Sequence, residues 1–158
     1  MAKRLVNTKV IIHVIGTLMV INAVLMLFSL PFAFYYGEDT VNPILISSLI
    51  SGLIGGFAWY KTKKNKNSEI KKRDGYLIVT LGWLSMALFG SLPYLLSGSI
   101  PNFSNAIFET MSGFSTTGAT ILDDIEALPK SILFWRSMTQ WIGGMGIIVL
   151  TIAILPLL

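Results

Sequence analysis

The sequence contains no cysteine and a single histidine, His13. Disulfides and thiolate metal sites are therefore excluded, and one histidine cannot form a histidine metal cluster or a Ser-His-Asp triad. Charged residues are also scarce, at 13% of 158 residues, whereas 53% are hydrophobic. This balance is far more apolar than that of an ordinary soluble domain, and it indicates a membrane protein.

Four stretches are apolar over about 20 residues, the length that crosses the hydrocarbon core of a bilayer. They run roughly from Val10 to Tyr36, Pro43 to Tyr60, Tyr76 to Leu96 and Ser131 to Leu158. The first follows basic residues, as a signal peptide would, but its apolar run is too long for a signal h-region and no small-x-small cleavage site ends it. We therefore expect a retained helix, and an all-α integral membrane fold with four transmembrane helices.

The basic residues lie in short runs beside these stretches. Lys3, Arg4 and Lys9 precede the first, and KTKKNKNSEIKKR, residues 61–73, joins the second to the third. The other two connections carry five acidic residues against a lone Lys130. The positive-inside rule therefore places the N-terminus and the 61–73 loop in the cytoplasm. Membrane orientation explains the net charge of +4 better than nucleic-acid binding does, although the loop is also suited to anionic lipid or a cytosolic regulatory protein.

We divide the chain into two parts, a two-helix membrane hairpin with its basic cytoplasmic loop (residues 1–70) and the remainder (residues 71–158). In the hairpin, the second stretch carries small residues at four-residue spacing and others offset by one. These are Ser48, Gly52 and Gly56, with Ser47, Ser51 and Gly55 beside them. Such a face lets two helix backbones approach closely, so we predict a packing role for it.

A shorter apolar segment lies between the third and fourth stretches. Asn102 and Ser104 are both candidate N-caps, and apolar residues then recur with helical spacing at Phe103, Ile107, Phe108, Met111 and Phe114. A helix from Ser104 to Ser112 rises about 14 Å, half a bilayer at most, so it cannot span. Both of its ends lie on the outside if the flanking stretches span, which predicts a re-entrant hairpin.

The run SGFSTTGATI, residues 112–121, follows this short helix. Non-helical backbone at membrane depth is tolerated only when it is buried in protein or lines a water-filled cavity. Gly113 and Gly118 permit backbone conformations closed to other residues, and four hydroxyls add oxygens or hold the backbone: Ser115, Thr116, Thr117 and Thr120. We predict a strand that presents carbonyls to a pore, next to the negative end of the helix dipole. Such a site favours a dehydrated alkali cation.

Three other interpretations of this run are weaker. It mimics a phosphate-binding P-loop, but Ala119 stands where that motif needs lysine, and a helix rather than a strand precedes it. Ser115 lies in no G-x-S-x-G motif, and the one histidine lies in the first stretch, so we expect no enzyme. An ordinary polar external loop stays open on hydropathy alone, and the half-length helix favours the pore element over it.

The string FETMSGFSTTGATIL, followed by LPKSILFWRSMTQWIGGMGIIVL, resembles the first pore repeat of the Trk/Ktr/HKT superfamily of potassium transporters. The resemblance is strongest to its bacterial TrkH/TrkG branch, which KKRDGYLIVTLGWL and GSLPYLL also match. It runs from about Lys71 to Leu158. The first two stretches fit the extra N-terminal helix pair of that branch by hydropathy and position.

The resemblance implies a helix, a pore helix, a filter loop and a second helix, with four such repeats around one potassium pathway in the cytoplasmic (inner) membrane. The filter ligands would be backbone carbonyls, with Gly118 as the family's filter glycine, over Thr116, Thr117, Gly118, Ala119 and Thr120. The full T-V-G-Y-G pattern of potassium channels is absent. Looser discrimination between potassium and sodium therefore stays open. Potassium is the expected substrate, with no cofactor and no transition metal.

Further residues are candidates for supporting this filter. Gly113 and Ser115 belong to the run itself, whereas Glu109 and Arg136 are intramembrane charges, which usually pair or face a cavity. We expect the two charges to form a direct pair or to bond the filter backbone, and the alternative is that Arg136 snorkels to the outer interface. Three glycines in the fourth stretch, Gly143, Gly144 and Gly146, favour close packing over a gating hinge.

The sequence holds one repeat, whereas the family's four repeats normally lie on one chain. We expect potassium uptake through a pore completed by further repeats, either from copies of this chain or from another chain, and the family suggests a cytosolic nucleotide-binding regulatory subunit. The alternative is a truncated or split fragment that does not transport. Its apolar ending ILPLL favours that alternative.

Overall fold

The computed structural model describes residues 7–63 and 72–154. This part of the chain is all helical, without a β-strand. Its helices are α1 (Thr8–Leu27), α2 (Leu30–Tyr36), α3 (Val41–Thr62), α4 (Lys72–Gly90), α5 (Leu92–Leu96), α6 (Phe103–Phe114) and α7 (Lys130–Ile154).

Within the described residues, three segments are long and apolar enough to cross a membrane: Thr8–Tyr36, Val41–Thr62 and Arg73–Leu96. They coincide with the first three predicted stretches, so that part of the prediction is confirmed. The fourth stretch corresponds to α7, a helix of 25 residues. Its crossing of the membrane stays a prediction, and residues 155–158 lie outside the described chain.

Two of these segments are interrupted at a proline. Pro31 lies in the first turn of α2 and Pro93 in the first turn of α5, directly after the ends of α1 and α4. Proline has no N–H to donate and so ends the preceding helix. At the second break, the Trp135 indole Nε1 of α7 donates a hydrogen bond to the Gly90 carbonyl at 2.9 Å. A buried tryptophan thus ties α7 to the point where α4 ends.

The predicted small-residue face packs α3 against α1. A Cβ atom on Gly55 would lie 2.7 Å from Met19 Cβ and 2.8 Å from the Gly16 carbonyl, so only glycine fits. Ser48 Oγ donates a hydrogen bond to the Ala23 carbonyl at 2.8 Å. Gly56 has open space around it, whereas Ser47, Ser51 and Gly55 are all buried, so the contact follows the Gly55 row, with Ser48 added from the Gly56 row. Close backbone approach of this kind is how helices associate in lipid.

The start of α7 is held by a carboxylate from the connection between α2 and α3. Glu38 accepts hydrogen bonds from the backbone N–H of Lys130, from the Ser131 N–H at 3.0 Å and from Ser131 Oγ at 2.5 Å. Burial acts to raise the pKa of Glu38, but these bonds and a weaker one from Thr40 outweigh it, so the pKa is lowered. Glu38 therefore caps α7 with a negative charge at the positive end of its dipole.

The two predicted parts of the chain pack against each other at both ends. The Asn7 N–H donates to Asp74 Oδ1 at 2.9 Å, and the rings of Phe32 and Phe134 stack 4.3 Å apart. Within the first part, the His13 Nδ1 of α1 lies 3.0 Å from the Thr62 Oγ1 at the end of α3. The boundary at residue 70 stays a prediction, since most of the basic loop lies outside the described residues.

Candidate functional site

The short helix α6 runs alongside the first half of α7 in the same direction. Glu109 meets Arg136, Gly113 would overlap Thr139 if it carried a Cβ, and Phe114 lies against Gly143. Gly143 lies about 20 Å along α7 from its first residue, at 1.5 Å per residue. The end of α6 is therefore deep beside α7, and residues 115–129 return to the start of α7.

The N-terminus of α6 is capped by Asn102, whose Oδ1 accepts a hydrogen bond from the Asn105 N–H at 3.1 Å. Of the two caps that the sequence left open, the structure has Asn102 rather than Ser104. The helix has 12 residues, three more than predicted. It is about 18 Å long, still well short of a bilayer.

The buried face of α6 is small and polar until the last residue of the helix, Phe114, which is fully buried as the predicted apolar series implies. It carries Ala106, Glu109, Thr110 and Gly113, at the spacing of one helical face. Phe103 and Phe108 of the predicted apolar series are exposed instead. In lipid the outer surface is apolar, so helices pack through small and polar side chains.

Beyond α6 the chain turns through two left-handed residues. Thr116 has φ 57° and Gly118 has φ 74°, and nothing lies within 4 Å of a Cβ placed on Gly118. Gly118 is thus required for its backbone conformation, as expected. Gly113 differs from expectation, because it is helical and its missing Cβ makes room for Thr139 of α7. Residues 117–120 are irregular backbone without strand pairing to any described residue.

Glu109 joins α6, the loop and α7 through one carboxylate. Its side chain is fully buried, and Oε1 pairs with Arg136 Nε at 2.6 Å. Oε2 accepts hydrogen bonds from Thr120 Oγ1 at 2.9 Å and from the Ile121 N–H at 3.1 Å. A buried charge needs both pairing and hydrogen bonds to be tolerated. Glu109 has both, so it makes the direct pair and the backbone bond that the sequence offered as alternatives.

Hydroxyl groups hold the remainder of the loop. Ser112 Oγ donates to the Ala119 carbonyl at 2.5 Å, and the Ser112 carbonyl accepts from the Thr117 N–H at 3.1 Å. Ser115 Oγ and Thr117 Oγ1 are 2.8 Å apart. Sequence reasoning assigned no role to Ser112, although a hydroxyl one helical turn before the loop is well placed to bond the loop backbone.

Four consecutive carbonyls of the loop, those of residues 115–118, receive no hydrogen bond from any described residue, and the Thr120 carbonyl receives none either. Residues 115–119 are exposed in the single chain. The Ala119 carbonyl differs, because Ser112 occupies it. In the described part of the chain no group of three or more His, Cys, Asp or Glu side chains could hold a metal ion. The oxygens that this loop exposes are those of its backbone carbonyls and of the Ser115, Thr116 and Thr117 hydroxyls.

The three glycines of α7 lie on sides of the helix that face α6, the loop after it and α4. A Cβ on Gly143 would overlap the Phe114 carbonyl oxygen, whereas one on Gly144 would lie 3.9 Å from Thr116 Cγ2. One on Gly146 would lie 3.6 Å from the Trp83 ring. Only Gly143 is therefore required by the space available to it.

The comparisons with known proteins cover nearly the whole chain. A family model described as TrkH, cation transport protein, matches residues 41–158. The Trk system potassium uptake protein TrkH of Vibrio parahaemolyticus is 41% identical over 150 residues, which cover 94% of this chain and 30% of that protein. TrkG of Escherichia coli K12 is 37% identical over 153 residues, covering 96% of this chain and 31% of that protein.

A solved structure of a TrkH protein has the same fold as this chain. The crystal structure of the potassium transporter TrkH from Vibrio parahaemolyticus matches with a TM-score of 0.87 at 39% identity, covering 95% of this chain and 32% of that chain. The chain thus spans about a third of the length of the relatives it matches. These relatives are transport proteins by name, not enzymes. The match over residues 41–158, most of the chain, shows that it belongs to the TrkH family of cation transport proteins.

Proposed function

We propose that the chain supplies one repeat of a pathway for potassium uptake across the cytoplasmic membrane, with residues 116–120 as its selectivity filter. The observation that carries this proposal is the exposed loop after α6, in which the four consecutive carbonyls of residues 115–118 have no partner among the described residues. Unpaired backbone oxygens at membrane depth must meet water, protein or an ion. The parallel course of α6 and α7 supports a re-entrant pore helix, with α7 as the fourth transmembrane helix.

The ligands in this proposal are the carbonyls of Thr116, Thr117 and Gly118, with Thr120 next in line. A ring of such carbonyls replaces the hydration shell of an alkali cation. The Ala119 carbonyl ranks below them, because Ser112 Oγ already donates to it. Glu109 and Arg136 support the filter from behind, since the carboxylate fixes the Thr120 side chain and the Ile121 N–H. Potassium is the substrate, and the site needs no cofactor.

One loop is a quarter of a filter. The missing three quarters come from further repeats, supplied by copies of this chain or by another chain, because a closed ring is what buries the carbonyls. Repeats on a partner would cover the exposed loop and the exposed Phe103 and Phe108 of α6. Membrane lipid covers the apolar face of α3, where Leu53 is 71% exposed.

Transport in this proposal needs no ATP hydrolysis by the chain. With the N-terminus in the cytoplasm and the loop entered from outside, an inside-negative potential supplies about 2.3 kcal/mol per charge per 100 mV. A cytosolic nucleotide-binding subunit, suggested by the family resemblance, would act on the cytoplasmic side. The basic 61–73 loop is the part of the chain that the sequence assigns to that side.

The second candidate is a fragment that does not transport alone, favoured by the 30–31% of its relatives that the chain spans. Both candidates are tested by growth at low potassium of cells that lack potassium uptake. The chain is expressed alone, and also together with the remaining two thirds of TrkH from Vibrio parahaemolyticus. Growth in the first arm supports self-assembly, growth in the second arm alone supports a split pore, and no growth in either despite membrane insertion refutes transport.

Gly118→Ala tests the filter itself, with Gly37→Ala and Gly98→Ala as matched controls. All three glycines have φ between 64° and 74° and open space around a Cβ, so each substitution adds the same backbone strain. We expect only Gly118→Ala to abolish growth. Equal effects of the three variants would attribute the loss to strain and contradict the filter assignment.

A further inference from the structure

The end of α6 is a Schellman-type helix cap. The Thr116 N–H bonds the Gly113 carbonyl at 2.9 Å, and the Thr117 N–H bonds the Ser112 carbonyl at 3.1 Å. In this motif the residue after the C-cap takes a left-handed conformation, and glycine usually occupies it. Here the residue is Thr116, at φ 57°. A β-branched residue in that region is a true outlier.

The same chain follows the rule at the end of another helix. At the end of α2 the Gly37 N–H bonds the Phe34 carbonyl at 3.4 Å, and the Glu38 N–H bonds the Ala33 carbonyl at 2.9 Å. Gly37 has φ 64°, so the two caps share their bonds and their backbone. Among the described residues, Thr116 alone has a positive φ without being glycine. The strain therefore lies at one position, within the run of unpaired carbonyls.

The Thr116 side chain has a structural consequence that glycine would lack. A Cβ placed on Gly144 of α7 would lie 3.9 Å from the Thr116 Cγ2, so this methyl lies on the side of the turn that faces Gly144. A branched Cβ leaves few backbone and rotamer states open, whereas glycine would leave many. Strained residues persist where the surroundings over-determine them, and they cluster at functional sites.

We infer that Thr116 is a positioning residue that determines ion specificity: its strained conformation and its branched Cβ, on the side that faces α7, lock the turn that sets the spacing of the carbonyls of residues 116–118. This inference rests on the proposed function. On the size-matching account of filter selectivity, a locked spacing favours the cation whose radius it matches, so loosening the turn should reduce discrimination between potassium and sodium. The locking acts through the backbone and needs no contact of the threonine side chain with the ion.

The first test is an exchange of residues between the two caps, read by reversible unfolding of the purified chain in detergent micelles. Thr116→Gly should lower the unfolding equilibrium constant about five- to thirty-fold, because it removes left-handed strain. Gly37→Thr should raise it by a similar factor. A Thr116→Gly variant that is less stable than the unchanged chain would overturn the strain and with it the inference.

The second test measures potassium and sodium uptake by the chain in whichever of the two arms above supports growth. Thr116→Gly should lower the potassium-to-sodium uptake ratio several-fold while the protein becomes more stable, a combination that simple damage does not produce. Gly37→Thr, less stable but remote from the loop, should keep the ratio. Thr116→Asn, which tolerates the left-handed region and retains a Cβ, should lie between.

The outcomes distinguish the positioning role of Thr116 from the proposed potassium uptake. A Thr116→Gly variant with an unchanged ratio would overturn the positioning role and leave the proposed function intact. An equal fall of the ratio in Gly37→Thr would overturn it too, because loss of stability would then explain the change. Absence of uptake by the unchanged chain in both arms would overturn the proposed function, and the positioning role with it.

Discussion

The Glu109–Arg136 pair allows stability and loop position to be separated. The Glu109 side chain is fully buried and the Arg136 side chain is 11% exposed, so removing either partner leaves a largely desolvated charge. Such a loss costs about 3–5 kcal/mol, against a total stability of about 5–15 kcal/mol. We therefore expect Glu109→Leu and Arg136→Leu each to lower the free energy of unfolding by several kcal/mol.

The double variant should behave differently. Replacing a buried ion pair by apolar side chains of similar volume is often neutral or stabilising. Two donors of the loop, Thr120 Oγ1 and the Ile121 N–H, would still lose their acceptor, at about 1–3 kcal/mol for a group that stays buried. The double leucine variant should therefore recover most of the stability lost by the single variants. Thr120 and Ile121 should nevertheless remain without the acceptor that Glu109 provides.

Two measurements check this on the same proteins. Reversible unfolding in detergent micelles gives the free energies, and hydrogen exchange at the Ile121 amide reports its bond to Glu109 directly. Protection of Ile121 should be lost in Glu109→Leu and in the double variant alike. Glu126→Gln is the control, since this exposed carboxylate should change stability by less than about 0.5 kcal/mol. The reasoning would be refuted if the double variant lost as much free energy of unfolding as the two single variants together. It would also be refuted if the Ile121 amide stayed protected in the double variant.

Length and hydropathy were sufficient to predict the three confirmed membrane-length segments and the short helix, because both are local properties. The limits of α6 were less accurate, and its capping residue was left open between Asn102 and Ser104. The choice depends on which side chain faces the free N–H of Asn105, which spacing does not reveal. The helix also extends to Phe114, since the Schellman bonds of its cap continue the turn past Ser112.

Contacts between distant segments were beyond sequence reasoning. Glu38 caps α7 across 92 residues, and Trp135 bonds the Gly90 carbonyl across 45. The sequence placed Glu38 in an acidic connection and Trp135 in an apolar stretch, without a partner for either. No local pattern indicates such a partner, because the bond depends on how α2, α4 and α7 pack.

Glycines show the same limit most clearly. Gly113, Gly118 and Gly143 are alike in the sequence, yet only Gly118 has a positive φ, whereas the other two make room for Thr139 and Phe114. The sequence identified glycine at each place but could not separate conformation from close approach. Thr116 is the converse case, because a residue that disfavours the left-handed region occupies it, and propensity gives no warning of that.

The remaining predictions concern packing, an unpaired hydroxyl and pH. Gly143→Ala should lower the unfolding midpoint, because its Cβ would overlap the Phe114 carbonyl. Gly144→Ala should instead raise the stability by up to about 1 kcal/mol, because alanine has the higher helix propensity. If both variants changed the stability in the same direction, Gly143 would not be the position that requires glycine. Tyr94→Phe should be neutral or stabilising in the same measurement, because its fully buried hydroxyl lies beside Thr139 but makes no hydrogen bond of normal geometry with a described residue. A loss above about 1 kcal/mol would show that Tyr94 and Thr139 are bonded. Glu38→Gln should cost about 0.3–1 kcal/mol at neutral pH, because it removes the charge at the start of α7. The pKa of Glu38 is lowered in the folded chain, so this stabilisation is complete above the unfolded pKa and disappears as pH falls through the folded one. Unfolding free energies of the two proteins should therefore differ at pH 7 and converge in acid, and a difference that persisted or grew as the pH fell would show that the carboxylate charge does not stabilise α7.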